Sequence, residues 1–382
     1  MFRIPAARIN WPTSLFLMTT LLVTLTAVPW YLWRFGLDWF QAVLFLVFFA
    51  ASSMSITLGY HRLFSHLAFQ SKWPVKLATL LFGSAAFEGS ALEWCADHRH
   101  HHKHVDQDED PYDITKGFFH AHIGWLLFKL RPEPSMDNVA DLQADKLVMW
   151  QHRHWPWIGA VISLVLAPAL GWLWGGWTSA LGSLLLAGVA RVVCVQHSTF
   201  FINSLCHTIG RRPYSSRCTA RDSFLMAIFT FGEGYHNYHH EFQHDYRNGV
   251  KPWQFDPTKW AVWLLAQLGL ASNLRRVPAE KIQLAEIAEK QRQLEARINA
   301  KPGRFCDATH KLVQHAQEQL QLAARHWEQR KTEYMRVTEK KIVASKERIS
   351  ELKRECELAA ANLRAAIQHW HETHQIAVAR FA

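Results

Sequence analysis

The chain has 382 residues, a net charge of +10 and an apolar fraction of 49%. Apolar residues are concentrated before about residue 275 and charge after it, which excludes a single soluble globular domain. The six cysteines (Cys95, Cys194, Cys206, Cys218, Cys306, Cys356) contain no C-x-x-C pair, which excludes a disulfide framework and points to free thiols in a reducing compartment. Eighteen tryptophans point to membrane interfaces, where amphipathic rings settle.

In chain order, residues 14–33 and 39–58 are apolar runs of about 20 residues, the length a helix needs to cross about 30 Å of hydrocarbon. The short link 34–38 makes them a helical hairpin. The first run is too long for a signal peptide and shows no clear cleavage site, so it is read as a span. Arg3 and Arg8 place the N-terminus on the cytoplasmic side, and the second span returns there. Residues 73–92 are apolar but carry Lys76 and Glu88, and are read as an interfacial or re-entrant helix.

Residues 97–154 are polar and read as cytoplasmic. Residues 155–190 contain no charge; these 36 residues are slightly short for two spans and a turn. The second helix of that pair is therefore expected to continue through Arg191 towards Phe200, with Arg191 and His197 near its cytoplasmic end or facing the interior. The link 171–177 has no Lys or Arg, as expected of an outside turn. Residues 260–270 are too short to span.

From Pro278 the chain changes character. Leu284, Ile287, Gln291, Leu294 and Ile298 follow a 3-4 spacing, and Lys-Pro-Gly at 301–303 breaks the helix. The spacing resumes at Ile342, Ser345, Ile349, Leu352, Cys356, Ala359, Leu363, Ala366 and Trp370. This seam is either a helical hairpin folding back on itself or a coiled coil that dimerises the chain or docks a partner.

Three histidine clusters stand out: His61 and His66; His98, His101 and His102; and His236, His239 and His240. The last two repeat H-x-x-H-H, which on a helix places three imidazoles on one face. His100 falls on another face. Counting crossings puts all three clusters on the cytoplasmic side. His207 is a ninth candidate, and Asn203 precedes it by one helical turn, where it could bind a metal directly or through a water. His104, His120, His122, His152, His154, His197 and His244 lack the spacing and read as hydrogen-bonded or interfacial.

Imidazole suits iron, copper, zinc or nickel. Eight clustered histidines exceed the four ligands of a structural zinc site and suit two metals. Asp97, Asp106, Asp108, Asp110 and Glu233 are candidate acceptors for ligand N–H groups, with Glu233 best placed, three residues before His236, while most of the acidic run Asp106–Asp113 reads equally as a solvated loop.

The ordered blocks HRLFSH, DHRHHHKH, EDPYDITKGFFHAHIGWLL, NSLCH and GEGYHNYHH resemble the membrane fatty acyl-CoA desaturases of the stearoyl-CoA (delta-9) type, over about residues 15–270. The resemblance implies an all-α integral membrane protein: four transmembrane helices with a cytoplasmic histidine-rich helical cap form a desaturase domain (1–275). A charged helical, coiled-coil-like tail follows (278–382, broken near 301–303).

By the same resemblance, two iron ions are held by His61, His66, His98, His101, His102, His207, His236, His239 and His240, with Asn203 holding a metal-bound water. With O2 as co-substrate and two electrons, hydrogen is removed from two neighbouring methylenes of a fatty acyl chain on CoA or another carrier, giving a cis double bond at the 9,10 position. No haem-binding His-Pro-Gly-Gly of a fused cytochrome b5 occurs, so a separate electron-transfer protein and its reductase are expected. A bacterial-like member of this kind would sit in the inner (cytoplasmic) membrane, with active site and both termini on the cytoplasmic side. Its tail would offer a route to homo-oligomers, and no nucleic acid is implied. Phe49 and Ser53, one turn apart on the second span, are the substrate-tunnel candidates. Animal members carry Arg before the Asp of the second block, against the CoA head; here that position is Ala96. A membrane diiron hydroxylase of alkanes or fatty acids, and a non-enzymatic metal-binding scaffold, remain open on the residues alone.

Overall fold

The computed structural model describes residues 6–129, 136–299, 304–339 and 345–381. Helix dominates them, and they divide into two compact units, Met1–Val277 and Pro278–Ala382.

In the first unit, α1 spans Trp11–Phe35, with a proline in its first turn where a missing N–H costs nothing. Helix α2 starts at a capping box: Asp38 accepts from the Phe40 amide, and the Gln41 side chain reciprocates at the Asp38 amide. It runs Trp39–Ser65, seven residues beyond the end expected from the apolar pattern. The extension Ser55–Ser65 is π-helical, a wide turn that recurs at functional sites. His61 is therefore part of the helix and not of a segment after it.

Helix α3, Trp73–Ser84, has 12 residues, about 18 Å, and falls short of the about 30 Å of a span. A turn leads to α4, Ala91–His104, which opens on the capping box Ser90–Glu93. Among the described residues, three helices are long and apolar enough to cross a membrane: α1, α2 and α5, Lys146–His207. Helix α5 is 62 residues long and reverses at Gly175 and Gly176, whose dihedrals (φ −145°, ψ 26°; φ 65°, ψ −152°) leave helical geometry. Glycine tolerates the positive φ. The two arms then pack so closely that a Cβ on Gly188 would lie 2.5 Å from the Ser163 carbonyl oxygen. The reversal falls within the link 171–177.

Arg191, on the second arm, faces the interior. It donates to Ser52 Oγ (3.3 Å), Ser163 Oγ (2.7 Å) and the Ala85 carbonyl, tying α2, the first arm and the turn after α3 together. The chain continues through α6, His236–Glu241, and α7, Pro257–Gln267. Trp260, Trp263, Leu264 and Leu268 are exposed on and just beyond α7. A short antiparallel pairing of Gln70–Ser71 with Ala271–Ser272 joins the segment after His66 to the one after α7. Ile56, Tyr60, Leu63 and Phe64 of α2 pack with Leu92, Cys95 and Ala96 of α4, Val148 of α5 and Val262 of α7 in one apolar core.

The second unit holds α8 (Ala279–Asn299), α9 (Arg304–Glu339) and α10 (Lys346–Phe381). Ion pairs Arg330–Glu355 (3.1 Å) and Arg348–Glu333 (3.2 Å) register α9 and α10 antiparallel. Leu352, Ala359, Leu363 and Trp370 of the heptad seam are buried inside this unit, and the Trp370 indole donates to Gln291 Oε1 (3.3 Å). Those positions are spent within the chain, as in a hairpin that folds back on itself. Ser345 is exposed. Ile342 and the expected break at 301–303 lie outside the described residues.

Candidate metal centre

The three clusters, separated by up to 179 positions in sequence, meet. They form two groups in which one ligand atom from each residue lies within 4.8 Å of all the others: His61, His66, His98, His102 and His239, and His101, His207, His236 and His240. Each H-x-x-H-H block is divided between them. The outer pair, i and i+4, stands in one group and the middle histidine in the other: His98 and His102 against His101, and His236 and His240 against His239. A pattern that puts three rings on one helix face thus serves two neighbouring sites along that face.

The Nε2 atoms converge. His239 Nε2 lies 3.0 Å from His61 Nε2 and 2.9 Å from His102 Nε2, and His66 Nε2 lies 2.8 Å from His98 Nε2. In the second group His236 Nε2 lies 3.1 Å from His207 Nε2 and 3.0 Å from His240 Nε2. Burial, reinforced by the charge neighbouring rings would carry, pushes His66, His98, His102, His236, His239 and His240 well below the ordinary imidazole range. The rings are neutral at pH 7, which is the ligating form. Converging neutral Nε2 lone pairs are poorly satisfied by one another and fit a pair of imidazole-binding cations.

The opposite nitrogens meet oxygen partners in several cases. His61 Nδ1 lies 2.9 Å from Glu233 Oε2, and His101 Nδ1 2.8 Å from Asp110 Oδ1. Burial alone would raise the Glu233 carboxyl, but the His61 ring and the Arg62 guanidinium overcome it and hold the group down at about 2. Glu233 therefore backs His61 across the fold, and not its sequence neighbour His236. Arg62, next to His61, bonds Glu233 and also grips Asp256 through both terminal nitrogens (3.1 and 3.0 Å). His207 Nδ1 meets Thr219 Oγ1 at 2.7 Å. Arg99, between two block histidines, binds the Phe64 and Ser65 carbonyls at the end of α2 and the Asp141 carboxylate, fixing α4 on α2. Arg62, Arg99 and Thr219 were invisible to spacing arguments; adjacency to the blocks was the only signal, and Thr219 lacked even that.

The family model described as fatty acid desaturase matches residues 37–271, which contain both histidine groups. The chain belongs to the fatty acid desaturase family. It is 42% identical over 253 residues to a probable acyl-CoA desaturase of Schizosaccharomyces pombe, covering 65% of this chain and 52% of that protein. It is 38% identical over 304 residues to acyl-CoA desaturase 1 of Saccharomyces cerevisiae, covering 77% and 59%. To the stearoyl-CoA desaturase of Homo sapiens it is 32% identical over 260 residues, covering 66% and 70%. The chain thus spans little more than half the length of the two yeast relatives.

Within this family member the remaining sequence candidates separate cleanly. Asn203 is partly buried one turn before His207. The histidines without block spacing bond elsewhere: His122 to His197 and Ser204, His152 to Ser90, His154 to the Trp150 carbonyl and His244 to the His66 carbonyl. His100 and His104 pack on each other with tilted rings, centroids 4.6 Å apart. Asp108 is exposed, as in a solvated loop. Ala96 is fully buried in the apolar core. Phe49 stacks on Phe45 (5.9 Å) and meets Phe231 edge-on (5.6 Å). Ser53 is buried, and its Oγ has no hydrogen-bond partner among the described residues.

Proposed function

We propose that the chain is a fatty acyl-CoA desaturase that introduces a cis double bond at the 9,10 position, using O2 and two electrons from a separate electron-transfer protein and its reductase. The observation that carries this reading is the pair of converging histidine groups inside the family-matched region. Three of the relatives bear the names acyl-CoA or stearoyl-CoA desaturase. His61, His66, His98, His102 and His239 would hold one iron; His101, His207, His236 and His240 would hold the other, with Asn203 contributing through a water. When bound, the irons supply the O2 activation needed to break two unactivated C–H bonds. The chain's own residues bind and orient the acyl chain, exclude water from the reacting methylenes, and keep the nine imidazoles aimed inward.

In this reading the two arms of α5 each cross the membrane, giving four spans with α1 and α2. The histidine groups and both termini lie on the cytoplasmic side. Exposed Trp260 and Trp263 of α7 rest at the interface, where tryptophan is enriched. Expression in a host lacking unsaturated fatty acids, with double bonds located by mass spectrometry, tests the reaction. A double bond at carbon 9 is the expected product; hydroxylated chains would replace the reading with hydroxylation. Iron analysis of the purified protein is expected to give two irons per chain, and a chain loaded with zinc alone would count against redox chemistry.

Phe49 and Ser53 form the closed end of the acyl tunnel in this proposal. The Ser53 hydroxyl, without a hydrogen-bond partner among the described residues and one turn after Phe49, is consistent with an apolar channel. Ser53→Phe is expected to shift products to shorter chains by about tenfold or more in ratio, since lost methylene fit is worth about 1–3 kcal/mol per group. Gas chromatography giving an unchanged chain-length profile would remove these residues from the tunnel.

A further inference from the structure

The four-histidine group is backed by a connected set of oxygens: those of Asp106 and Asp110, acceptor candidates already in the sequence, and that of Thr219, which no spacing indicated. His207 Nδ1 meets Thr219 Oγ1 at 2.7 Å, and Thr219 Oγ1 donates to Asp106 Oδ1 at 2.6 Å. The Asp106 amide donates to Asp110 Oδ2 (3.0 Å), and Asp110 Oδ1 accepts from His101 Nδ1 (2.8 Å). The path from His207 to His101 is therefore continuous and runs through the loop directly after α4. Asp106 adopts φ +62°, a left-handed conformation that aspartate tolerates better than most residues, and so follows the end of α4 as a turn.

The bonding fixes proton positions. Asp106 accepts from the Thr219 amide at Oδ2 and takes the single Thr219 hydroxyl proton at Oδ1. Thr219 then has only a lone pair to offer His207, whose Nδ1 must carry the hydrogen and whose Nε2 is left free to ligate. In the five-histidine group His61 stands beside a carboxylate, Glu233.

We propose that Thr219 and Asp106 are positioning residues for the metal bound by His101, His207, His236 and His240, acting with Asp110 as one bracket that sets two of its four ligands. This inference rests on the two-iron reading above. Thr219 serves the loop in a second way: its backbone amide donates to Asp106 Oδ2 at 2.7 Å. Thr219→Val keeps that backbone bond and the side-chain volume, and cuts only the hydroxyl relay. A purely structural clamp would survive the change.

The test uses full-length protein in detergent, stripped of metal and titrated with Fe(II), with iron per chain and Mössbauer spectra as readouts. Wild-type protein is expected to take up two irons. Thr219→Val is expected to bind one of them about 10–100-fold more weakly, the usual cost of losing such a partner, with one iron environment lost from the spectrum at limiting iron. Thr219→Ser is expected to restore both. Asp106→Asn is expected to move in the same direction as valine. Valine protein that keeps both irons, with wild-type affinity and spectrum, would overturn the proposal. Wild-type protein that takes up no iron would overturn the desaturase reading itself, and this inference with it.

Discussion

Replacing His239 by alanine is expected to abolish product and empty one metal site. His239 is buried, and its Nε2 bridges His61 (3.0 Å) on α2 and His102 (2.9 Å) on α4, so it joins three separate segments at one point. Losing an outer partner of a ligand typically costs about 10–100-fold, and losing the ligand itself should exceed that. The vacated volume would also leave the Nε2 atoms of His61 and His102 without their shared neighbour. Gas chromatography of lipids from the complemented host is expected to show no unsaturated product, with iron per chain reduced. His100→Ala and His104→Ala, which remove a ring pair outside both groups, should leave product close to wild type. Retained activity in the His239 variant would take the third cluster out of the site.

Arg62→Met should unfold the first unit's histidine-bearing end. The guanidinium is buried between two buried carboxylates, Glu233 and Asp256, and makes five hydrogen bonds in all, the fifth to the Tyr246 carbonyl. Asp256 also accepts from the amides of Asn248, Gly249 and Lys259. Removing the cation leaves two buried anions facing each other, a loss of about 3–5 kcal/mol for broken buried pairs. A fall in thermal midpoint in detergent, with loss of material during purification, is the expected measurement. Arg62→Lys should recover little, because a point charge cannot fork to two carboxylates. Adding Asp256→Asn to the methionine variant should recover part of the loss. A methionine variant as stable as wild type would mean that the network stabilises nothing net.

These two residues also mark what the sequence made legible. His239 was readable because a repeated spacing on a helix has a geometric meaning: rings three and four apart share a face. Arg62 was not, because its partners lie 171 and 194 positions away and no local period connects them. The apolar runs revealed α1, most of α2 and the paired arms of α5, since a span must be long and uncharged. They missed the end of α2, where polar His61, Arg62 and Ser65 continue the helix under tertiary packing and not under propensity. Spacing found the block histidines but not their division between two groups. That division depends on which opposing ring each one meets, and the opposing rings arrive from elsewhere in the chain. The tail's heptad seam was legible as a seam; the choice between a hairpin folding back on itself and a coiled coil was not.

The division of each block has one further consequence. Because His98, His101 and His102 hang from little more than one rigid turn of helix, the spacing of the two sites is gauged by the helix rise, about 1.5 Å per residue. The same holds for His236, His239 and His240. Neither site can be tuned by sliding or rotating a helix without disturbing the other. A one-residue insertion between His98 and His101 would turn the later rings by about 100° and misplace ligands on both sides at once. The two sites are thus mechanically one object, and evolution or engineering must keep or lose them together.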